Sequence, residues 1–242
     1  MAVLDFFKQK NKIAQIEAKE VDGAEVKALQ AKVNALKAEL EKATKALADA
    51  MKRKETSKPA PSKQKPMKDG HEYVDLGLSV KWATCNVGAS KPEEYGDYFA
   101  WAETKTKKEY TEENSKAWGK DRNDISGSSR YDAARANWGG KWRMPTEAEM
   151  QELMDKCTWK WTTQNGVKGY KVTGPNGNSI FLPAAGQFGS SLILDGSNGY
   201  YWSSTPSRHN VDDAVHLYFN SGNQGMLYGR RRYGQSVRPV VE

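Results

Sequence analysis

From Val26 onward the apolar residues fall at Val26, Leu29, Val33, Leu36, Leu40, Ala43, Leu47 and Ala50. Steps of three and four alternate without a break, which keeps one side of a helix apolar over nearly four heptads. A seam this regular suits a coiled coil or one helix of a bundle, with a single solvated helix as the alternative; residues 1–52 read as a helical coiled-coil stalk and self-association through this N-terminal helix is expected. Val, Val, Leu, Leu occupy one core position and Leu, Leu, Ala, Ala the other. The first set leans toward two strands, while the alanines narrow the core and also suit an antiparallel pairing, so the oligomer number stays open. Asp22 and Glu25 have capping-box spacing beside Gly23, which separates this helix from an earlier amphipathic piece carrying Phe6, Phe7, Ile13 and Ile16.

The composition changes where the stalk ends. All eight tryptophans lie between Trp82 and Trp202, and the first 69 residues hold neither Trp nor Tyr. Those 69 residues carry 16 Lys and Arg against 10 Asp and Glu, or +6 of the total +7, leaving +1 for the remainder. Basicity confined to a stalk and linker, and not spread over a folded face, argues against nucleic acid as a partner. Residues 53–69 combine three prolines with many lysines and read as an extended spacer. Residues 70–242 are then one globular domain. The N-terminus shows no apolar h-region followed by a small-residue cleavage site, so synthesis without a secretory signal is expected, and no run of 18 apolar residues predicts a membrane span. Cys85 and Cys157 allow one disulfide or two thiols; with no export signal, buried thiols are the simpler expectation.

Within residues 70–242, strand composition appears at 74–78, 80–87 and 98–103. The runs 169–173 and 179–182 flank Gly174-Pro175-Asn176-Gly177-Asn178, a hairpin signal. Thr146 followed by Glu149, then Met150, Leu153 and Met154, predicts a capped helix, while the polar stretch 104–137 reads as a long excursion. Few helices among many short strands predict an α+β fold. In the last stretch, frame pieces of strand composition (200–204, 217–219, 236–240) alternate with aperiodic pieces (207–213, 227–232) that read as loops on a rigid scaffold.

Little in the chain suggests catalysis. The only histidines are His71, His209 and His216, and none accompanies a nucleophile-elbow pattern. Cys85 and Cys157 lack paired zinc ligands, Asp212-Asp213 offers too few oxygens for calcium, and the glycines do not form a phosphate-binding GxGxxG. No enzyme activity, cofactor or metal is therefore expected. What remains is recognition chemistry: Tyr228 and Tyr233 bracket Arg230, Arg231 and Arg232, the residue types that dominate binding hot spots, although a solvated basic loop has the same composition.

Several blocks resemble one superfamily. Gly139 to Glu149, GGKWRMPTEAE, resembles the W-R-[LM]-P-T-E-A-E signature of formylglycine-generating-enzyme-type C-type-lectin folds. Gly199 to Thr205, GYYWSST, Gly234 to Val240, GQSVRPV, and the opening Gly70 to Gly88 are similar to FISUMP (major paralogous) domains. The resemblance covers residues 70–242 and implies a C-type-lectin-like domain with a variable-type C-terminal region at about 187–240. In that superfamily, targets of diversity-generating retroelements and phage receptor-binding proteins display a C-terminal variable surface, which implies a protein or glycan ligand, an adhesin role and a virion-associated setting. The oxidase branch needs a cysteine pair near the end of the domain, and this chain has no cysteine after Cys157.

Retroelement mutagenesis favours residues encoded by codons ending in C or T. The resemblance therefore nominates Ile193, Leu194, Asp195, Ser207, Arg208, His209, Asn210, Asp213, Val215, His216, Leu227, Tyr228, Arg230, Arg231 and Arg232 as ligand-binding positions, whereas Gln224 and Met226 fail that codon test. The competing expectation is a structural assembly protein whose irregular loops merely tolerate change.

Overall fold

The computed structural model describes residues 23–56 and 66–242, with side chains over 26–45 in the first stretch and throughout the second. The chain divides into two units, Met1–Lys63 and Gln64–Glu242.

The first unit contains α1, Gly23–Thr56. Its interior is Ala, Leu, Lys and Glu with no proline, the composition of a stable helix. Residues 53–56, assigned above to the spacer, continue this helix because the first proline comes only at Pro59. Among the described side chains, Val26, Leu29, Val33, Leu36 and Leu40 of the seam are exposed, from 42% at Val33 to 67% at Leu40. The amphipathic piece around Phe6 to Ile16, the proposed cap Asp22 and spacer residues 57–65 lie outside the described residues.

The second unit runs β1 (Met67–Lys68), β2 (His71–Val74), β3 (Lys81–Ala83), α2 (Ala133–Trp138), α3 (Glu147–Lys156), β4 (Thr158–Gln164), β5 (Val167–Thr173), β6 (Ser179–Pro183), β7 (Gln187–Phe188), β8 (Leu192–Ile193), β9 (Asn198–Pro206), β10 (Asp213–Asn220), β11 (Asn223–Arg230) and β12 (Val240–Val241). It is a sheet-rich α+β unit. Its sheets have the orders β1-β2-β3-β12, β4-β5-β6, β7-β8 and β11-β10-β9. The last strand thus closes against β3, with Val240 opposite Trp82, so the two ends of the unit share one sheet.

The hairpin signal and the helix cap appear as expected. Thr173 pairs with Ser179 across the Asn-Gly turn, and Thr146 and Glu149 complete a reciprocal capping box. Of the expected strand runs 74–78, 80–87 and 236–240, only Val74, Lys81–Ala83 and Val240 lie in named strands. Three further expectations change. β1 pairs with β2 through Met67 and Glu72, so the folded unit takes in residues assigned to the spacer. Residues 98–103 form no strand, only a bridge from Phe99 to Gln235. Residues 227–230 are not a loop but the end of β11, which pairs with β10 in continuous register from Asn220↔Asn223 to Asp213↔Arg230. Gly225 and Gly229 interrupt the side-chain alternation that would have shown this strand in the sequence.

The frame pieces lock the core. Trp202 Nε1 donates to Phe99 O (2.9 Å), Trp101 Nε1 to Ser203 O (3.0 Å) and Tyr201 OH to Pro183 O (2.6 Å). The fully buried Arg238 donates to Asn86 Oδ1 and to the carbonyls of Ala83, Thr84 and Phe181 at 2.6–3.1 Å. A buried guanidinium needs this saturation, because each unmet donor would cost the full penalty of leaving water. It ties the C-terminal frame to the opening of the domain. Both cysteines are free and half-buried, and burial raises the Cys157 thiol.

Candidate functional site

α3 begins against the end of β9. Its Thr146 cap accepts from Glu149 N (3.3 Å), Glu149 Oε2 accepts from Thr146 N (2.8 Å), and Glu147 N donates to Thr205 Oγ1 (3.0 Å). Arg143 holds Glu149 through two hydrogen bonds at 2.6 and 2.8 Å. Burial pushes the Glu149 carboxyl up, but Arg143 and the Thr146 amide outweigh it and keep the group below the usual carboxylate range. Met150 and Leu153 face the core, which leaves Glu147, Ala148 and Gln151 on the other side of the helix.

Those three residues form one wall of a hollow of about 450 Å³, and Arg208, His209 and Tyr228 form the other. Tyr228 is 50% exposed and its ring meets that of His209 edge to face, 5.4 Å between centroids. The loop after β9 is built by its own side chains. Ser207 Oγ accepts from the amides of His209 (3.1 Å) and Asn210 (3.2 Å), and Asn210 Oδ1 accepts from Asp212 N (2.9 Å). Such local turns fix a loop without a core beneath it. Ser207 and Asn210 therefore shape the loop, while Arg208 and His209 point outward and Arg208 has neither a hydrogen bond nor an ion pair among the described residues.

The other nominated positions separate into three groups. Val215, His216 and Arg231 are buried (2%, 4% and 1% exposed), so they offer no surface contact. Arg231 donates Nε to Asp213 O (3.0 Å) and Nη1 to Lys120 O (2.7 Å), and its guanidinium stacks 4.2 Å from the Trp101 ring. Burial and the neighbouring Arg122 lower its pKa to about 10. His216 lies beneath β11 beside Gln235, and burial holds it neutral, with a pKa of about 4. Among the described residues neither ring nitrogen of His216 nor either side-chain amide atom of Gln235 has a hydrogen-bond partner.

Arg230 and Arg232 lie 5.8 and 5.9 Å from the Trp118 ring, with ion pairs to Asp213 (3.5 Å) and Glu112 (2.8 Å) respectively. Leu227 is exposed on β11 opposite His216. Ile193, Leu194 and Asp195 are exposed on the β7–β8 hairpin and just after it. That hairpin joins β9 at Gly199, whereas the 207–212 loop leaves β9 at Pro206 and Asp213 already begins β10, so the sequence-nominated positions gather at two ends of β9 and not in a single patch.

Three contributors escape sequence reasoning. Glu147 and Gln151 belong to the helix the sequence marks, but nothing local shows that they face Arg208. Trp118 lies in the polar excursion, whose fold is set by contacts such as Gly119 N to Asp212 Oδ1 (2.6 Å). The same excursion lines a second hollow of about 350 Å³ with Lys105, Lys116, Lys120, Arg122 and Arg130. Among the described residues no group of three or more His, Cys, Asp or Glu side chains is placed to hold a metal ion, and no helix is long and apolar enough to cross a membrane.

Residues 73–241 match the Lcl C-terminal domain, a span that takes in the whole frame, the α3 hollow and both exposed ends of the β9–β11 sheet. The chain belongs to the Lcl C-terminal domain family. Neither the curated proteins nor the solved structures return a match. In this Lcl C-terminal domain the outward residues Arg208 and His209 are carried by the loop between β9 and β10 and Tyr228 by β11, all within the matched span.

Proposed function

We propose that the chain is a non-enzymatic ligand-binding protein of adhesin type, in which a C-type-lectin-like frame presents the α3 hollow and its rim to a protein or glycan surface. The observation that carries this reading is the pairing of an over-determined frame with an under-used rim. Trp202 and Tyr201 donate to backbone carbonyls and Arg238 to three carbonyls and Asn86 Oδ1, while Arg208 has no partner among the described residues and Tyr228 is half exposed. An aromatic face, a guanidinium, a carboxylate and an amide around one hollow can stack on an apolar ring face and hydrogen-bond its polar edge. Self-association through α1 belongs to the same reading, since several rims on one assembly convert weak single contacts into avidity. Diversification of the rim by a retroelement is compatible with the residue types at the nominated positions, each of which can be encoded by a codon ending in C or T. It predicts a near-copy of the C-terminal coding region, differing mainly at adenines, close to a reverse transcriptase gene.

The test is to probe immobilised glycans and cell-surface proteins with the labelled full chain. Discrete targets bound by the wild type and lost in Tyr228→Ala are expected. Binding that is absent throughout, or unchanged in Tyr228→Ala, would favour an assembly role for this domain.

A further inference from the structure

Along α1, Val26, Leu29, Val33, Leu36 and Leu40 are 42–67% exposed, a continuous apolar seam on one helix. Resting on the self-association reading above, we propose that two copies of the chain pair through α1 in antiparallel orientation, with Val33 of one helix opposite Ala43 of the other. The sequence of the seam selects this arrangement by volume. In a parallel pair each residue meets its own copy, so Ala43 faces Ala43 and Ala50 faces Ala50, and two thin layers interrupt a row of leucines. Reversing one helix about residue 38 places Val26 opposite Ala50, Leu29 opposite Leu47, Val33 opposite Ala43 and Leu36 opposite Leu40. Every alanine then meets a valine and every leucine a leucine, which evens out the layers along the whole seam as close packing requires.

The flanking charges agree. A parallel pair brings Lys32 beside Lys37 of the partner copy twice, while the other flanking contacts, Glu25 with Gln30 and Glu39 with Thr44, supply no opposite charge. The antiparallel pair sets Glu25 beside Arg53 twice, and its like-charge contacts, Lys37 with Lys37 and Glu39 with Glu39, occur once each at the midpoint. Sliding the antiparallel pair by one heptad would match Lys32 with Glu39 but leave Leu47 and Ala50 beyond the partner's seam. Burial of a leucine outweighs a surface ion pair, so the full-length register wins.

Cysteine cross-linking of the full chain decides the orientation. In the antiparallel pair position 33 lies roughly 15 Å along the axis from its own copy, beyond disulfide reach, but directly opposite position 43. Oxidised Val33→Cys/Ala43→Cys is expected to run mostly as a covalent dimer. Each single variant should stay at the wild-type background set by Cys85 and Cys157, and light scattering of the wild type should give the mass of two chains. Cross-linking of either single variant to the same extent would overturn the orientation while leaving self-association intact. A two-chain mass with no cross-link in the double variant would overturn the register. A one-chain mass would overturn pairing altogether, and a mass above two chains would overturn the pair in favour of a larger bundle.

Discussion

Tyr201 on β9 has no exposed surface and donates its hydroxyl to Pro183 O, whereas Tyr228, on β11 of the same sheet, is half exposed and meets His209 edge-on. Arginine divides in the same way. Arg238 and Arg231 satisfy backbone carbonyls from inside the fold, while among the described residues Arg208 reaches outward without an ion pair and Arg230 has a 3.5 Å contact to Asp213 and an approach to Trp118. Frame and rim thus draw on the same residue types. What separates them is whether the polar end of the side chain is spent on the chain's own backbone or left for something else.

Substitution tests that division most severely at Arg238. Arg238→Ala removes four hydrogen bonds from a site with no exposure and strands Asn86 and three carbonyls, so it should cost about 4 kcal/mol, read as a lowered urea midpoint. An effect as small as that of a rim substitution would break the comparison.

His216 gives the next largest effect, as a pH dependence. Its folded pKa of about 4 lies below the ordinary 6.5 because burial disfavours the charged ring, so the unfolded chain takes up the proton first as pH falls. Its contribution is complete above pH 6.5 and is lost progressively down to pH 4, a change of about 3 kcal/mol. The unfolding free energy of the wild type minus that of His216→Gln should therefore fall by about that amount between pH 7 and pH 4. Parallel pH curves would mean that His216 is not held neutral inside the frame.

Gly229 sharpens the boundary between the two regions, since it lies on the rim strand directly over the frame. A Cβ there would stand 2.5 Å from His216 Nδ1, whereas one at Gly225 on the same strand meets nothing within 4 Å. Gly229→Ala is expected to destabilise by about 2 kcal/mol and Gly225→Ala to be near neutral, with urea midpoints as the readout. Thr146→Ala, which uncaps the helix that supplies Glu147 and Gln151 to the hollow, should cost about 1 kcal/mol by the same measurement.

The parts of this structure that were legible in the sequence are those fixed by near neighbours. The α3 cap rests on residues three apart, and the β5–β6 hairpin on an Asn-Gly turn. The parts that were not legible depend on distant contacts. Arg231 looks like the middle of an exposed arginine run, yet its partners include Lys120 O, 111 residues away, and the Trp101 ring. Within β11, Gly225 and Gly229 remove the alternation that signals a strand, so Leu227 and Tyr228 read as loop residues. The α3 hollow combines both cases: its helix wall is locally encoded, and its approach to Arg208 and Tyr228 is set by the packing of α3 on the β9–β11 sheet.

The most direct measurement compares unfolding and binding in the Arg208→Ala/Tyr228→Ala variant. The rim account predicts an unfolding free energy within about 0.5 kcal/mol of the wild type, together with loss of the targets that the wild-type chain binds on the glycan and protein arrays. Retained binding, or a loss of stability as large as that of Arg238→Ala, would contradict it.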